Sequence, residues 1–114
     1  MAFSFNDEIT KLFKNFRVPV KYMYYDGNAN TYVTFMQSHK DNTLAGDDTI
    51  LGYVLYYDFD IYSKGNYLDI IDSIIEIMQG AGWTYQPLND GPDLYETETK
   101  YFHKTICFAK ESEV

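Results

Sequence analysis

The sequence predicts an α+β fold: a single mixed or antiparallel sheet of about four to five strands with two helices, the second packed on one sheet face. Three observations predict it. Residues 49–64 alternate, with Leu51, Tyr53, Leu55, Tyr57, Phe59 and Ile61 on one face, because side chains along a strand repeat with period two. Residues 67–79 place Tyr67, Ile70, Ile71, Ile74, Ile75 and Met78 on one stripe of a 3.6-residue period, with Asp69, Asp72, Ser73 and Glu76 on the opposite side. An apolar fraction of 46% and an aromatic fraction of 18% in 114 residues suit one folded domain, residues 1–114, and argue against a disordered chain.

The first helix is expected over residues 4–16. Ser4 or Asn6 can cap it, Asp7 and Glu8 sit in its first turn, and Lys11 and Lys14 come later, all favourable to the helix dipole. Ile9, Leu12, Phe13 and Phe16 form its apolar stripe, and Pro19 forces Val18 out of the helical region. Strands follow at 20–25 and 31–38. The turn chemistry of Asp26-Gly27-Asn28-Ala29-Asn30 between them suggests a hairpin. That stretch lacks the alternating acids and closing Glu of a calcium loop.

Residues 39–48 are polar and without periodicity, so they read as a flexible loop, either a plain hairpin tip or a protruding arm that orders on a partner. The long strand (49–64), a turn at Gly65-Asn66 and the second helix (67–79) come next. Gly80-Ala81-Gly82 stops that helix, with glycine supplying the left-handed conformation other residues resist. Residues 83–86 read as a short strand cut by Pro87, with Trp83 anchoring helix to sheet. Residues 88–92 form a bend, 93–99 are acidic, and 100–110 are the last strand, with Phe102, Ile106 and Phe108 on one face. Residues 111–114 read as a charged tail.

Composition narrows the function classes. Seventeen acids against nine bases, a net charge of −8, disfavour phosphate-backbone binding, which needs clustered Lys and Arg. The single cysteine, Cys107, excludes an internal disulfide and suits a reducing compartment. No stretch has the basic and apolar regions of a signal peptide or the ~20 apolar residues of a membrane helix, so a soluble protein made in a cytoplasm is expected. Twelve tyrosines point mildly to protein contacts, although half-buried strands account for them equally well.

No pattern for catalysis, metal or cofactor emerges, and a non-enzymatic protein is expected. Asp58 and Asp60 share a strand face, but no further ligand stands at metal spacing. His103 and Cys107 also share a face, yet four residues of strand is roughly 13 Å, beyond hydrogen-bond reach; Cys107 reads as a free, buried cysteine. Nucleotide, nucleophile-elbow and C-x-x-C signatures are missing. On the second face of the long strand, Ile50, Gly52, Val54, Tyr56, Asp58, Asp60 and Tyr62 are too apolar in their first half for plain solvent. Either the first helix or another chain is expected to cover it.

The series Tyr57-Asp58-Phe59-Asp60-Ile61-Tyr62-Ser63-Lys64, a helix led by Asn66-Tyr67, Gly82-Trp83, Tyr95-Glu96-Thr97-Glu98-Thr99 and Tyr101-Phe102-His103-Lys104 resembles the small tail-terminator (tail completion) proteins of long-tailed phages of Gram-positive bacteria. The likeness covers nearly the whole chain, and only the series as a whole is specific. Phe102 between Tyr101 and His103 departs from the family's Tyr-His pair.

The resemblance implies an α+β protomer that forms a homo-hexameric ring at the head-proximal end of the virion tail, assembled in the host cytoplasm. The ring caps the tube built by the major tail tube protein, ends its growth and meets the head–tail connector or stopper protein. DNA passes through without specific binding, and no catalytic residue, metal, cofactor or membrane is involved. The expected contacts are His39, Asp41, Asn42, Asp47 and Asp48 of the polar stretch, Tyr56, Asp58, Asp60 and Tyr62 of the long strand, and Asp93, Tyr95 and Glu96.

Alternatives are another phage neck or tail component, and a small acidic inhibitor that binds a host nuclease by charge mimicry. The inhibitor would gather its acids on one face, whereas the sequence spreads them. A ferredoxin-like ligand-binding regulatory domain would need a pocket signature that is not present.

Overall fold

In the computed structural model, which describes residues 5–46 and 49–113, the alternating stretch forms strand β3 (Thr49–Ser63) at the centre of one mixed sheet. Its neighbours are β2 (Thr31–Gly46) and β6 (Tyr101–Glu113), both antiparallel to it. One edge of the sheet is β1 (Val20–Tyr22), parallel to β2. At the other edge β4 (Thr84–Tyr85) and β5 (Leu94–Glu96) pair with successive stretches of β6. Between them a turn of 3-10 helix (Pro87–Asn89) bulges outward, and the Gln86 and Gly91 N–H groups keep the chain on β6 through the Cys107 and Thr105 carbonyls. Helices α1 (Asn6–Leu12) and α2 (Leu68–Gly80) pack on one sheet face.

The core lies where the period-two face meets the helical stripe. Leu55, Tyr57, Phe59 and Ile61 of β3 are fully buried, flanked by Val33 and Phe35 of β2 and Ile106 and Phe108 of β6. Ile70, Ile74 and Met78 of α2 and Ile9 and Phe13 around α1 close over them. Phe59 sits in the middle, 5.5 Å from the rings of both Phe35 and Phe108 and 5.6 Å from Phe13. Each such buried side chain stabilises the fold by about 1.5–3 kcal/mol. Trp83 pins the end of α2 to the sheet, its ring edge-on to Phe5 (5.2 Å) and Tyr57 (5.4 Å). The turn before it needs glycine, because Gly82 has φ +93°.

Several expected boundaries shift. The first helix is shorter than 4–16. After Leu12 the bonds tighten to Lys14 N–H on the Lys11 carbonyl and Phe16 N–H on Phe13, which swing the chain toward Pro19. No side chain of α1 caps it, and Ser4 lies outside the described residues. Instead the Tyr57 hydroxyl of β3 accepts the Phe5 N–H.

Strands β1 and β2 are not a hairpin. Met23 takes φ +61° and Tyr24 N–H bonds back to the Tyr22 carbonyl, so the strand expected over 20–25 ends at Tyr22. The chain then returns to start β2 level with β1, in parallel. Gly27 lets the Tyr25 ring fold over it in that return, since a Cβ there would have to displace the end of that ring.

Residues 39–46 are strand, not loop. Paired with β3 as far as Gly46 opposite Thr49, they make β2–β3 one long hairpin, and Asp47 and Asp48 lie outside the described residues. Register shifts at Gln37/His39, Asn42/Leu44 and Leu44/Ala45 reset the alternation, so no period-two pattern survives in the sequence. Strand β6 likewise continues through the expected tail to Glu113, held by β3. With the two short edge strands the sheet has six strands, above the expected four to five.

The hairpin and the end of β6 run well past the helices, which gives the molecule extents of 52 × 27 × 23 Å.

Candidate functional site

The face of the sheet away from the helices carries the most distinctive chemistry. Register places Tyr62, Asp60, Asp58 and Tyr56 of β3 on it, alternating with the buried set. Opposite them stand Tyr32, Thr34, Met36 and His39 of β2 and His103, Thr105, Cys107 and Ala109 of β6. No helix covers this face, and its middle rows are half-buried by their own neighbours.

At one end an aromatic ladder crosses the strands. Tyr25 stacks on Tyr32 (4.5 Å), Tyr32 on Tyr62 (4.8 Å) and Tyr62 on His103 (4.2 Å). Tyr101 stands edge-on to Tyr32 (5.5 Å), and its hydroxyl donates to the Ala29 carbonyl at 2.9 Å. Burial raises the Tyr32 phenol and, helped by the neighbouring Asp60 charge, pushes Tyr62 up to about 12, so both remain neutral hydroxyls near neutral pH. Such flat, neutral, amphipathic rings favour protein contact over charge recognition.

One row along, Asp60 is held in place. Thr105 Oγ1 donates to its Oδ1 at 2.5 Å and His103 Nε2 at 3.0 Å. Its carboxylate is thus committed within the sheet.

The next row forms a shallow open depression of about 400 Å³ lined by Ser38, His39, Asp41, Tyr56, Asp58, Asn89 and Cys107. The bulge after Gln37 places His39 opposite Tyr56, and its Nε2 lies 2.8 Å from Asp41 Oδ1. Burial raises the Asp58 carboxyl above the usual range, although hydrogen bonds from Cys107 and Ser38 oppose the shift. Burial also pushes the Cys107 thiol up to about 12, and the Asp58 charge acts in the same direction. A thiolate nucleophile needs an electropositive setting, and this is its opposite.

The structure therefore brings together His39, Asp41, Tyr56, Asp58, Asp60 and Tyr62 on one face. Asn42 belongs to the β2 strand of the arm. Asp93, Tyr95 and Glu96 lie apart, at the β5 edge. There Asp93 accepts the Tyr67 hydroxyl at 2.7 Å and lies 3.8 Å from Lys104, and the Tyr95 ring packs on Phe102 at 4.8 Å. Sequence reasoning missed the ladder partners Tyr25, Tyr32 and Tyr101. The alternation Tyr32-Thr34-Met36 opposite Val33-Phe35 is the signal for Tyr32, but Tyr25 reaches the face only through the parallel return of the chain.

Among the described residues no group of three or more His, Cys, Asp or Glu side chains is placed to hold a metal ion, and no helix is long and apolar enough to cross a membrane. No protein-family model matches this chain, and neither does any curated protein sequence.

Proposed function

We propose that this chain is a structural protein of a long-tailed phage virion, a tail terminator that forms a ring of six copies on the last tier of the tail tube, stops its elongation and receives the head connector. The observation that carries the reading is the joint pattern of the motif series and the long arm. Tyr57 to Ser63 is the middle and end of the central strand with Lys64 just beyond it, Asn66-Tyr67 leads α2, Gly82-Trp83 is the pinned turn, and Tyr101 to Lys104 opens β6. The arm of β2, β3 and β6 extends past the helix-covered core and suits contact with a neighbour in an assembly. An uncovered sheet face carrying neutral stacked rings suits the same role.

The test is tube length. Purified tube protein polymerised with this chain should give shorter, capped tubes by electron microscopy, with the added protein at one end and a native mass of six copies there. Tubes that grow to the same length with and without it would retire the reading.

A second reading, an acidic inhibitor that occupies a nucleic-acid-binding enzyme, is favoured by one specific observation. Asp41, Asp58 and Asp60, spread in sequence, fall on one face. It predicts tight binding of a host nuclease by a monomer or dimer.

A further inference from the structure

Two stretches of chain at opposite edges of the sheet each carry charge of one sign, with Lys100 following directly on the acidic one. Residues 9–25 contain Lys11, Lys14, Arg17 and Lys21 and no acid, while residues 84–99 contain Asp90, Asp93, Glu96 and Glu98 and no base. The first group lies around β1, where Lys14, Arg17 and Lys21 line a groove of about 480 Å³. The second lies along β4 and β5, at the far edge.

The strand rows of the two edges are offset: β1 is level with Lys104 to Ile106 of β6, and β5 with Tyr101 to His103. One row of the sheet runs from Lys21 through Thr34, Asp60 and Thr105, and Gly91 N–H bonds the Thr105 carbonyl at 2.9 Å, between Asp90 and Asp93. Among the described residues Lys14 and Lys21 form no ion pair, and neither do Glu96 and Glu98. Both edges also expose apolar surface beside their charges. Tyr22, Met23 and Tyr24 are 45%, 60% and 72% exposed at the basic edge, and Leu88, Leu94 and Tyr95 are 99%, 49% and 50% exposed at the acidic one. Aromatic and Met side chains ringed by charge are what the centre of a protein interface contains.

We propose that the β1 edge of one copy, with Lys14 and Lys21, docks on the β5 edge of the next, with Glu96 and Glu98, in a head-to-tail contact between copies of this chain. The occupant is a second copy because the unpaired bases of one edge complement the unpaired acids of the other, and a shift of three rows along the strands brings β1 level with β5. In that contact β1 runs antiparallel to β5, the sheet continues from copy to copy, and the unpaired charges meet across the junction. Such a contact uses two different surfaces and closes into a ring when the rotation per copy divides the circle. The assignment deepens the ring proposed above by naming its interface, but it stands on the edges alone.

The experiment uses the full chain and two double variants, Lys14→Glu with Lys21→Glu, and Glu96→Lys with Glu98→Lys. All four sites are exposed, so each variant is expected to keep the native melting curve. Sedimentation at low salt should show the native chain associating, each variant alone weakened at least about tenfold in dissociation constant, and their equimolar mixture restored, because the reversed edges complement one another. Association of the native chain should weaken between about 0.01 and 1 M ionic strength, as the Debye length falls from about 30 to about 3 Å. Carbodiimide coupling should join Lys14 or Lys21 to Glu96 or Glu98 between chains. A native chain that remains monomeric at about millimolar concentration overturns the proposal. Association that survives both reversals, or a mixture no stronger than its parts, overturns it too while leaving the ring reading standing. A chain that associates through these edges yet leaves tube length unchanged removes the terminator reading and keeps the interface.

Discussion

The Tyr57 hydroxyl, at the centre of the sheet, donates to Asn6 Oδ1 at 2.7 Å and accepts the Phe5 N–H at 3.0 Å, so the central strand caps the first helix from 51 residues away. A seven-residue helix is too short to be stable alone, and its start is fixed by the sheet rather than by a local capping residue. Tyr57→Phe keeps the ring in the core but leaves the Phe5 N–H without its acceptor. The expected cost is about 1–2 kcal/mol, read as a lower urea midpoint at unchanged slope. An unchanged midpoint would show that water replaces the hydroxyl.

Trp83 offers a sharper division between ring and N–H. Its side chain is buried between Phe5 and Tyr57, while Nε1 has no hydrogen-bond partner among the described residues. Trp83→Ala should cost about 3–5 kcal/mol through the cavity it leaves. Trp83→Phe removes the unsatisfied donor along with part of the ring, so it should cost at most about 1 kcal/mol. Chemical denaturation followed by circular dichroism checks both, and equal losses would show that the indole nitrogen is satisfied in solution.

The difference between Trp83 and the β2 arm explains what a sequence of this kind reveals. The Leu55–Ile61 face, the Ile70-Ile74-Met78 stripe, Gly82 and the buried Cys107 are legible because burial imposes a period or because a backbone angle demands glycine. The 39–46 segment is strand for another reason. Its partner is the backbone of β3, and three register shifts reset its alternation. The parallel start of β1 and β2 was hidden in the same way. It depends on a left-handed Met23, a residue type that gives no such signal. Among candidate contacts, Tyr56, Asp58, Asp60 and Tyr62 share a face by parity alone. That His39 and Asp41 join them needed the bulge after Gln37, and that Asp93, Tyr95 and Glu96 stand elsewhere needed the strand order.

Asp58 makes the fold sensitive to pH in a stated direction. Burial raises its carboxyl above the unfolded value, so the folded state holds a proton more tightly than the unfolded chain. Its contribution is then fully present below the unfolded pKa of about 4 and is lost as pH rises through the folded value. Asp58→Asn should therefore raise the melting temperature at pH 7 and bring little or no gain at pH 4. The reverse order would mean that the Ser38 and Cys107 hydrogen bonds outweigh burial. The same variant takes away the charge that helps hold the Cys107 thiol near 12, so reaction of native protein with a thiol reagent should accelerate.

The arm can be separated from the described core cluster because the two share strands while no residue of 41–54 belongs to that cluster. The residues of the described core cluster that lie nearest the arm on β2 and β3 are Phe35 and Leu55, and Lys40 stands opposite Leu55 in the ladder. Joining these two directly through Asn-Gly, a two-residue turn whose twist matches a hairpin, removes residues 41–54 without touching the core. The excised chain loses the Lys40 contact over the Tyr53 ring (4.5 Å) and the exposed His39–Asp41 contact (2.8 Å), and leaves Glu111 to Glu113 of β6 without a ladder partner. An exposed cation–π contact and a frayed strand end amount to about 1–2 kcal/mol, so the shortened protein should still fold cooperatively. If the arm is the part that meets the tube or the connector, the shortened chain should fail to limit tube length while its melting transition persists. Full tube capping by the shortened protein would transfer that role to the open face with its tyrosine ladder, and loss of the melting transition would show that the arm helps hold β6 on the core.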